Sequence, residues 1–258
     1  MSTYVIGDLH GYVDQYIHLL RTYSLCDEEL NWTGGTNTLW LIGDFFDRGA
    51  SGIDCLDLTI KLQHQAQDSG GNVSALLGNH ELMILCAYRF PDAVTDTGSS
   101  ITDLWERWGG IEADLQRFTE HHAEFIQNLP AMALQGENLL IHADAMVYVN
   151  HGISITAVNE SFHRLMLSSE VDQWLRTLEA FAEHMAFSSL ALTGGQRVEQ
   201  LLKLYGGKLL VHGHTPIPIA RGVDPVSVTG AWEYSDGRCL NVDGGIYMGS
   251  PGFVHQLD

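Results

Sequence analysis

Short apolar runs recur along the chain, and each one ends abruptly in glycine and polar residues. Five runs show this pattern: Tyr4–Ile6, Leu39–Ile42, Val73–Leu77, Leu139–Ile141 and Leu209–Val211. Apolar runs of this length, bounded by turn residues, are typical of buried strands. We therefore predict five strands whose carboxyl ends carry most of the unusual polar residues of the chain.

Helical periodicity fills the intervals between the first runs, in 12–23, in 53–67 and after Glu81. This alternation predicts βαβ units and a mostly parallel sheet in the first half. Two longer intervals, approximately 90–136 and 154–206, predict helical insertions in a single domain spanning 1–258. The insertions either cover a cleft or simply add to the core. Further strands are expected at 238–242 and 253–255.

The charge of the chain excludes one broad class of partner. Thirteen basic and 32 acidic residues give a net charge of −19, which repels a nucleic-acid backbone, so no nucleic-acid binding is expected. The four cysteines lack C-x-x-C spacing and predict buried free thiols. With no signal-peptide pattern and no long apolar segment, we expect a cytoplasmic protein without membrane contact, while its oligomeric state stays open.

The strand ends carry a set of oxygen and nitrogen ligands without a thiolate. In open α/β sheets, ligands bind beyond the carboxyl ends of the strands. Carboxylate, amide and imidazole ligands suit manganese, iron or zinc at a catalytic site. The set is too large for one ion, so we expect two divalent ions, with manganese as the first choice; its members are Asp8, His10, Asp44, Asn79, His80, His142 and His214.

A pair of ions ~3.5–4 Å apart suits in-line displacement at phosphorus, with a water between them as the nucleophile. Asp44 is placed to bridge the ions, and Arg48 offers a planar fork for phosphoryl oxygens. His80 can protonate the leaving oxygen, and Asp47 can orient His80 through a carboxylate–imidazole hydrogen bond.

Three motifs also carry a family resemblance. They resemble the signature motifs of the PPP phosphoprotein phosphatases, which are calcineurin-like metallophosphoesterases. The three motifs are Gly7–Gly11, Gly43–Gly49 and Gly78–Glu81. His142 and His214 resemble the two later metal ligands of that family. The resemblance is specific over 4–89 and sparser to about residue 245. It implies an αββα sandwich with helical insertions and a dinuclear metal site.

The resemblance also implies a role for each motif residue. Asp8, His10 and Asp44 would hold the first ion, and Asp44, Asn79, His142 and His214 the second. Arg48, Asn79 and His80 would contact substrate, with His80 as the acid and Asp47 as its support. The family usually has a second phosphate-binding arginine between the last two histidine ligands. The candidates are Arg164, Arg176 and Arg197.

The resemblance leaves the branch of the family open. Two segments resemble the Shewanella-like phosphatases, Trp32–Gly35 and Gly70–Met83. The segment His142–Asp144 resembles the bacteriophage-type enzymes, and the segment Thr3–Leu20 resembles the symmetrical dinucleoside tetraphosphatases. Asp47 and Glu81 favour the protein phosphatases. We therefore expect hydrolysis of phosphoserine, phosphothreonine or phosphotyrosine in proteins. The alternatives are a tetraphosphatase-like hydrolase acting on a small phosphoester, and a metal-binding regulatory pseudoenzyme.

Several polar and aromatic residues outside the motifs have two interpretations. His212 either lies behind the metal ligands or contacts the site directly. Asp144 either orients His142 through a hydrogen bond or is a carboxylate in a turn. Trp105 and Trp108 either stack on a substrate or lie in the core. The remaining histidines singled out are expected at the surface or in packing: His121, His122, His151, His163 and His184.

Overall fold

The computed structural model describes residues 1–96, 98–188 and 193–257. Within them, all five apolar runs form strands, as predicted. The strands are β1 (Thr3–Ile6), β2 (Thr38–Leu41), β3 (Asn72–Ala75), β4 (Met132–Gln135), β5 (Asn138–Ile141), β6 (Leu209–His212), β7 (Trp232–Tyr234), β8 (Cys239–Asn241) and β9 (His255–Leu257). The last strand begins at His255, two residues after its predicted start.

The strands form two sheets rather than one. The first has the order β3-β2-β1-β9, in which β1, β2 and β3 are parallel and β9 is antiparallel to β1. The second has the order β4-β5-β6-β8-β7, with β5, β6 and β8 parallel and antiparallel strands at both edges. The parallel strands of each sheet were expected from the apolar runs, whereas β4 and β7 were not.

Alternating side chains build one core between the sheets and another against the helices. In β2, Trp40 packs in a cluster with Leu140 of β5 and Val211 of β6, which belong to the other sheet. The neighbours of Trp40 in β2, Leu39 and Leu41, pack instead in a larger cluster that contains the helices. Successive residues of a strand point to opposite faces, so every central strand contributes to both cores. The result is the αββα sandwich that the resemblance implied.

The helices cover the outer faces of the sheets, and α3 contacts α4, α6 and α8. The bounds are α1 (Val13–Thr22), α2 (Gly52–Asp68), α3 (Asn79–Arg89), α4 (Ile101–Arg107), α5 (Glu112–Arg117), α6 (Glu120–Gln127), α7 (Ile155–Leu167), α8 (Val171–Phe181), α9 (Gly194–Tyr205) and α10 (Ile217–Arg221), with 3-10 turns at Val147–Asn150, Pro225–Ser227 and Ile246–Met248. Helices α4–α6 and α7–α9 lie in the two intervals predicted as helical, but the first interval also contains β4. Helix α3 begins at Asn79, earlier than predicted.

All four cysteines are buried and none forms a disulfide, which confirms the expectation of free thiols. Among the described residues, no helix has the length and apolar character needed to cross a membrane.

A buried carboxylate in α5 fixes the start of α2. The two oxygens of Asp114 accept hydrogen bonds from the amides of Gly52 at 3.0 Å and Ile53 at 3.2 Å. A side chain at residue 52 would collide with Asp114, because a Cβ at this position would lie 2.5 Å from the carboxylate oxygen. Burial raises the pKa of Asp114 to about 6. Asp114 therefore caps α2 from a distant segment, in the place that an N-cap side chain usually takes.

Replacing Asp114 with alanine should lower the free energy of unfolding by about 1–3 kcal/mol, because two buried amides lose their acceptor. Chemical denaturation of the two proteins measures this difference. The control is Arg117→Ala, which breaks an exposed ion pair with Asp54 and should cost no more than about 1 kcal/mol. Equal losses in the two variants would contradict the capping role of Asp114.

Candidate active site

The predicted site residues converge at the carboxyl ends of strands from both sheets. Asp8 and His10 follow β1, and the loop after β2 carries Asp44, Asp47 and Arg48. The first turn of α3, which follows β3, adds two more residues, and the loops after β5 and β6 add one each; these four are Asn79, His80, His142 and His214. All of these side chains are buried except that of Arg48, which is exposed.

The loops reach this arrangement in strained backbone conformations. His10, Asp44, Asp47, Arg48 and His214 all have φ between 45° and 70°, in the left-handed region. Each such non-glycine residue costs of order 1–3 kcal/mol and persists only where surrounding contacts impose it. The left-handed backbone conformation turns the side chains of these residues out of the strand direction and toward a common point.

One buried carboxylate imposes the conformation of two of these loops. Glu81 accepts hydrogen bonds from the amides of Asp44 at 2.7 Å, Phe45 at 2.7 Å and Gly78 at 2.9 Å. The bond to Gly78 also caps α3. A Cβ at Gly78 would lie 2.2 Å from a carboxylate oxygen of Asp44, so only glycine fits. Burial first, and then the charge of Asp44, raises the pKa of Glu81 to about 7.

His10 and Asp44 belong to the first of two ligand clusters that share Asp44. Single ligand atoms of His10, Asp44 and His80 lie within 4.8 Å of one another. His10 Nε2 is 3.7 Å from Asp44 Oδ2 and 4.0 Å from Asp8 Oδ2. His10 Nδ1 is 2.9 Å from the Phe46 carbonyl oxygen and therefore carries the proton. This tautomer leaves the Nε2 lone pair facing the carboxylates.

The second cluster contains Asp44, His142 and His214. His142 Nε2 lies 3.3 Å from Asp44 Oδ1 and 3.0 Å from Asn79 Oδ1. His142 Nδ1 donates to the Ile42 carbonyl oxygen at 2.8 Å, which fixes the ring with Nε2 facing Asp44 and Asn79. Buried Nε2 of His214 has no hydrogen-bond partner among the described residues. Asp44 thus lies between the two clusters, as its predicted bridging role requires.

The electrostatics of the centre suit cations. Burial and the charge of Asp243 raise the pKa of Asp8 well above its usual value. Burial opposes ionisation of Asp44 as well, but the imidazoles of His142 and His80 outweigh it and hold the pKa of Asp44 well below its usual value. The donor atoms are carboxylate, amide and imidazole, and two inward imidazoles have their outer nitrogens fixed by backbone carbonyls. This set fits divalent metal ions on either side of Asp44.

His80 is held by a carboxylate beside the first cluster. Its Nδ1 is 2.5 Å from Asp47 Oδ2, and the Trp105 indole N–H donates to Asp47 Oδ1 at 2.9 Å. Burial lowers the pKa of His80, but the charges of Asp44 and Asp47 outweigh burial and raise it. Trp105 is fully buried, so of its two interpretations the structure supports the core position.

Arg48 lies at the exposed side of the first cluster. One guanidinium nitrogen contacts His10 Nε2, and the other is 3.4 Å from His80 Nε2. The guanidinium stacks over the Tyr247 ring at 4.1 Å, and that ring lies edge-on to His10. A planar cation with its donors at the ligand clusters can bind a phosphoryl group in bidentate fashion.

The structure also brings Asp243 and Tyr247 to the site, and the sequence reasoning missed both. Asp243 is buried, burial raises its pKa to about 7, and its Oδ2 has no hydrogen-bond partner among the described residues. A sequence signal for Asp243 was present, because the mostly apolar segment Cys239–Val242 ends in Asp-Gly-Gly, as the apolar runs before the motifs end in glycine and polar residues. Tyr247 had no such signal.

Other candidates lie outside the site. Arg164 is paired with Glu160 at the surface, Arg176 lines a separate cavity with His151, and Arg197 binds Glu183 and the Ala186 carbonyl. None of the three has a hydrogen bond or ion pair with the ligand clusters in the described part of the chain, so the structure selects none of these candidates as the second phosphate-binding arginine.

Two further interpretations are resolved by hydrogen bonds. His212 Nε2 bonds the Tyr234 hydroxyl at 2.7 Å, outside both ligand clusters. Burial lowers the pKa of His212 to about 4. The Ile42 carbonyl orients His142, so Asp144 does not. The carboxylate oxygens of Asp144 accept hydrogen bonds from Thr215 Oγ1 and the Met185 amide instead.

The family model for calcineurin-like phosphoesterases matches residues 1–218. The chain belongs to this family. Among curated proteins, it is 34% identical over 104 residues to Shewanella-like protein phosphatase 2 of Arabidopsis thaliana, covering 40% of this chain and 26% of that protein. It is 39% identical over 88 residues to the symmetrical bis(5'-nucleosyl)-tetraphosphatase of Enterobacter sp. (strain 638), covering 34% and 26%. The matched segments thus span about a quarter of each relative.

Two solved structures share the fold of almost the whole chain. A cold-active protein-tyrosine phosphatase of a psychrophilic Shewanella superposes with a TM-score of 0.73 at 21% identity, covering 100% of this chain and 75% of that one. A protein serine/threonine phosphatase of Saccharomyces cerevisiae superposes with a TM-score of 0.62 at 16% identity, covering 99% and 72%. At these identities the likeness establishes the fold of this calcineurin-like phosphoesterase and nothing finer.

Glu81→Gln should weaken manganese binding by about 10- to 100-fold, because the amide group replaces one acceptor oxygen and releases the loop that carries Asp44. Titration of the metal-free protein with Mn²⁺ against a competing chelator measures the change. The matched control is Glu160→Gln on the exposed face of α7, which should bind Mn²⁺ as the unmodified chain does. Unchanged affinity in Glu81→Gln would mean that the three amide bonds do not organise the centre.

Proposed function

We propose that this chain is a metal-dependent phosphomonoesterase that removes phosphate from phosphoserine, phosphothreonine or phosphotyrosine in proteins. One observation carries the proposal: an exposed guanidinium and a carboxylate-held imidazole lie side by side against the ligand clusters, in Arg48 and His80. A site of this composition has an anion-binding group, a proton donor and metal ligands within reach of one phosphate.

In this proposal, one divalent ion would be held by Asp8, His10 and Asp44, and a second by Asp44, Asn79, His142 and His214. Manganese is the preferred ion, with iron and zinc as alternatives. When bound, the ions act as Lewis acids that offset phosphoryl charge and lower the pKa of a water. Their positive charge also balances the buried carboxylates, which a chain of net charge −19 does little to neutralise.

Arg48 binds the nonbridging phosphoryl oxygens. Its guanidinium is held on one face by the Tyr247 ring, so its orientation is set before the substrate arrives. Two parallel N–H groups match the spacing of two phosphoryl oxygens, which a lysine at this position would not do.

His80 donates a proton from Nε2 to the leaving oxygen. Asp47 accepts the hydrogen bond of Nδ1, which fixes the ring and stabilises its protonated form. Trp105 in turn fixes Asp47 from the first helical insertion. The leaving alkoxide or phenoxide of a phosphorylated side chain needs this proton far more than a phosphate leaving group does, because its conjugate acid is weaker.

A second candidate is symmetrical hydrolysis of dinucleoside tetraphosphates, because relatives with that name match over a comparable length and identity. The Asp47–His80 pair favours protein substrates, because the leaving oxygen of a phosphorylated side chain needs a proton donor more than a phosphate leaving group does. Partners of the chain are accordingly phosphorylated proteins or small phosphoesters.

The experiment that separates these functions is hydrolysis of a substrate panel by the manganese-loaded chain. The panel holds p-nitrophenyl phosphate, phosphoserine, phosphothreonine and phosphotyrosine peptides, and diadenosine tetraphosphate. Preferred cleavage of a phosphopeptide supports the proposal and names the residue class. Preferred cleavage of the dinucleotide supports the second candidate, and bound metal without turnover on any substrate supports a regulatory pseudoenzyme.

Asp44→Asn and His10→Ala should each lower kcat/KM for the best substrate by at least about 100-fold, since each removes a metal ligand. Excess EDTA should abolish the activity of the unmodified chain. The matched control is Asp236→Asn, because Asp236 has φ of 56° like Asp44 but is exposed in a turn. Full activity in both ligand variants, or sustained turnover in EDTA, would contradict the metal-dependent mechanism.

Trp105→Phe should lower kcat about tenfold with little change in KM, a part of the ~10²–10⁴-fold that a general acid contributes. The ring volume is nearly kept, but Asp47 loses its indole donor and His80 loses support. Steady-state kinetics on p-nitrophenyl phosphate and a phosphopeptide measure the effect. Trp108→Phe is the control, and an equal loss in both variants would show that the indole N–H of Trp105 has no part in catalysis.

A further inference from the structure

A buried aspartate outside the proposed ligand set follows the last parallel strand. In the described part of the chain, β1, β2 and β3 run parallel in one sheet, and β5, β6 and β8 in the other. The segments after the first five of these strands carry the proposed metal ligands. Because β8 pairs in parallel with β6, its carboxyl end lies at the same edge as His214. The carboxylate at that end belongs to Asp243.

Hydrogen bonds from three elements of the backbone fix the position of Asp243. Its amide donates to Asn241 Oδ1 at 2.8 Å, and its carbonyl oxygen accepts from the Ile217 amide at 3.0 Å. Its Oδ1 accepts from the Gly245 amide at 2.8 Å and so closes the turn after β8. These bonds determine where the carboxylate lies, and they use only one of its two oxygens.

The other oxygen of Asp243 is left for a different contact. The side chain is 0% exposed, and Oδ2 has no hydrogen-bond partner among the described residues. Leaving a buried polar atom unpaired is costly, so such an atom calls for a ligand or a functional role. An asparagine would make the same Oδ1 bond to Gly245 without a buried negative charge. Closing the turn therefore does not explain why this residue is an aspartate.

The surroundings of Asp243 place it on the Asp8 side of the centre. A Cβ at Gly7 would lie 2.8 Å from Asp243 Cα, so the turn after β8 packs directly against the residue that precedes Asp8. After burial, the charge of Asp243 contributes most to the raised pKa of Asp8. The two carboxylates thus share one buried region, in which a cation would offset both charges.

The ion on this side is the one with fewer proposed ligands. Asp8, His10 and Asp44 would hold it, whereas four residues would hold the second ion. Asp243 belongs to neither of the ligand clusters that contain Asp44. Its oxygen therefore suits a water on the ion better than direct coordination, in the way that outer carboxylates support metal sites.

We infer that Asp243 is a positioning residue of the metal centre, and that its Oδ2 accepts a hydrogen bond from a water in the coordination shell of the ion on the Asp8 side. This inference rests on the proposed metal-dependent function. An ionised carboxylate offers acceptor oxygens only, which match the hydrogens of a coordinated water. Asp243 thereby gives the sixth parallel strand a part in the centre that the other five supply with ligands.

Arg48 is the competing partner for the free oxygen of Asp243. The guanidinium of Arg48 is already placed, because its nitrogens lie against His10 and His80 and its face stacks on Tyr247. Turning toward Asp243 would break these contacts. The geometry therefore favours the metal side of the site over the phosphate-binding side as the place where Asp243 acts.

The test is Asp243→Asn, which keeps an oxygen for the Gly245 amide and replaces Oδ2 with a donor group of similar size. Titration of the metal-free chain with Mn²⁺ against a competing chelator is done at about pH 8, above the pKa of about 7 to which burial raises Asp243. One of the two Mn²⁺ ions should bind about 10- to 100-fold more weakly, the loss typical of an outer partner of a metal site. The metal-free variant should be at least as stable to chemical denaturation as the unmodified chain, because a buried charge is removed.

These two readouts separate positioning from a structural role. A residue that only closes the turn would change stability and leave the affinity for Mn²⁺ as it was. Asp236→Asn is the matched control, because it removes the same charge from an exposed turn and should change neither readout. Anomalous diffraction at limiting Mn²⁺ locates the loss: the peak beside Asp8 and His10 should weaken, and the peak beside His142 should remain.

Unchanged affinity for both ions in Asp243→Asn, or loss of the peak beside His142 instead, would overturn the inference. Weaker binding of inorganic phosphate with unchanged manganese affinity would overturn it in favour of a contact with Arg48. A chain whose manganese binding follows the prediction but which hydrolyses no phosphoester would uphold the inference and refute the proposed function. A chain that hydrolyses phosphoesters with two ions bound equally tightly in both proteins would refute the inference alone, and a chain that binds no divalent ion would refute both.

Discussion

The architecture of the site depends on the buried carboxylate of Glu81. Its three amide hydrogen bonds join the loop after β2 to the first turn of α3, and so connect two segments that follow different strands. These bonds stabilise the left-handed conformation of Asp44, which two ligand clusters share. The last residue of the Gly78–Glu81 motif thus shapes the site by binding the backbone of the loop after β2.

Both the stability of the fold and the proposed chemistry require positive charge at the buried carboxylates of the centre. Asp8, Asp44, Asp243 and Glu81 bring carboxyl groups together in a buried region, and burial raises the pKa of three of them. Divalent ions would offset this charge and make use of the inward imidazole lone pairs. Loading with metal should therefore contribute to stability as well as to activity, since ligand binding to the native state favours folding.

The sequence predicted the parts of the structure that depend on local pattern. Five apolar runs became strands, and the motif residues at their ends converge at one place. What it did not predict depends on contacts between distant segments. Trp105 reaches Asp47 across 58 positions, Asp114 caps α2 from α5, and His184 stacks on His214. The edge strands β4 and β7 also escaped prediction, because strands with one exposed side lack the continuous apolar run of a buried parallel strand.

The central proposal is that Asp44 would bind two metal ions between the ligand clusters, and anomalous diffraction at the manganese absorption edge tests it most directly. Crystals of the manganese-loaded chain should show two peaks on either side of the Asp44 carboxylate, ~3.5–4 Å apart. One peak should lie against Asp8 and His10, and the other against Asn79, His142 and His214. A single peak, or peaks that leave Asp44 uncoordinated, would contradict the account.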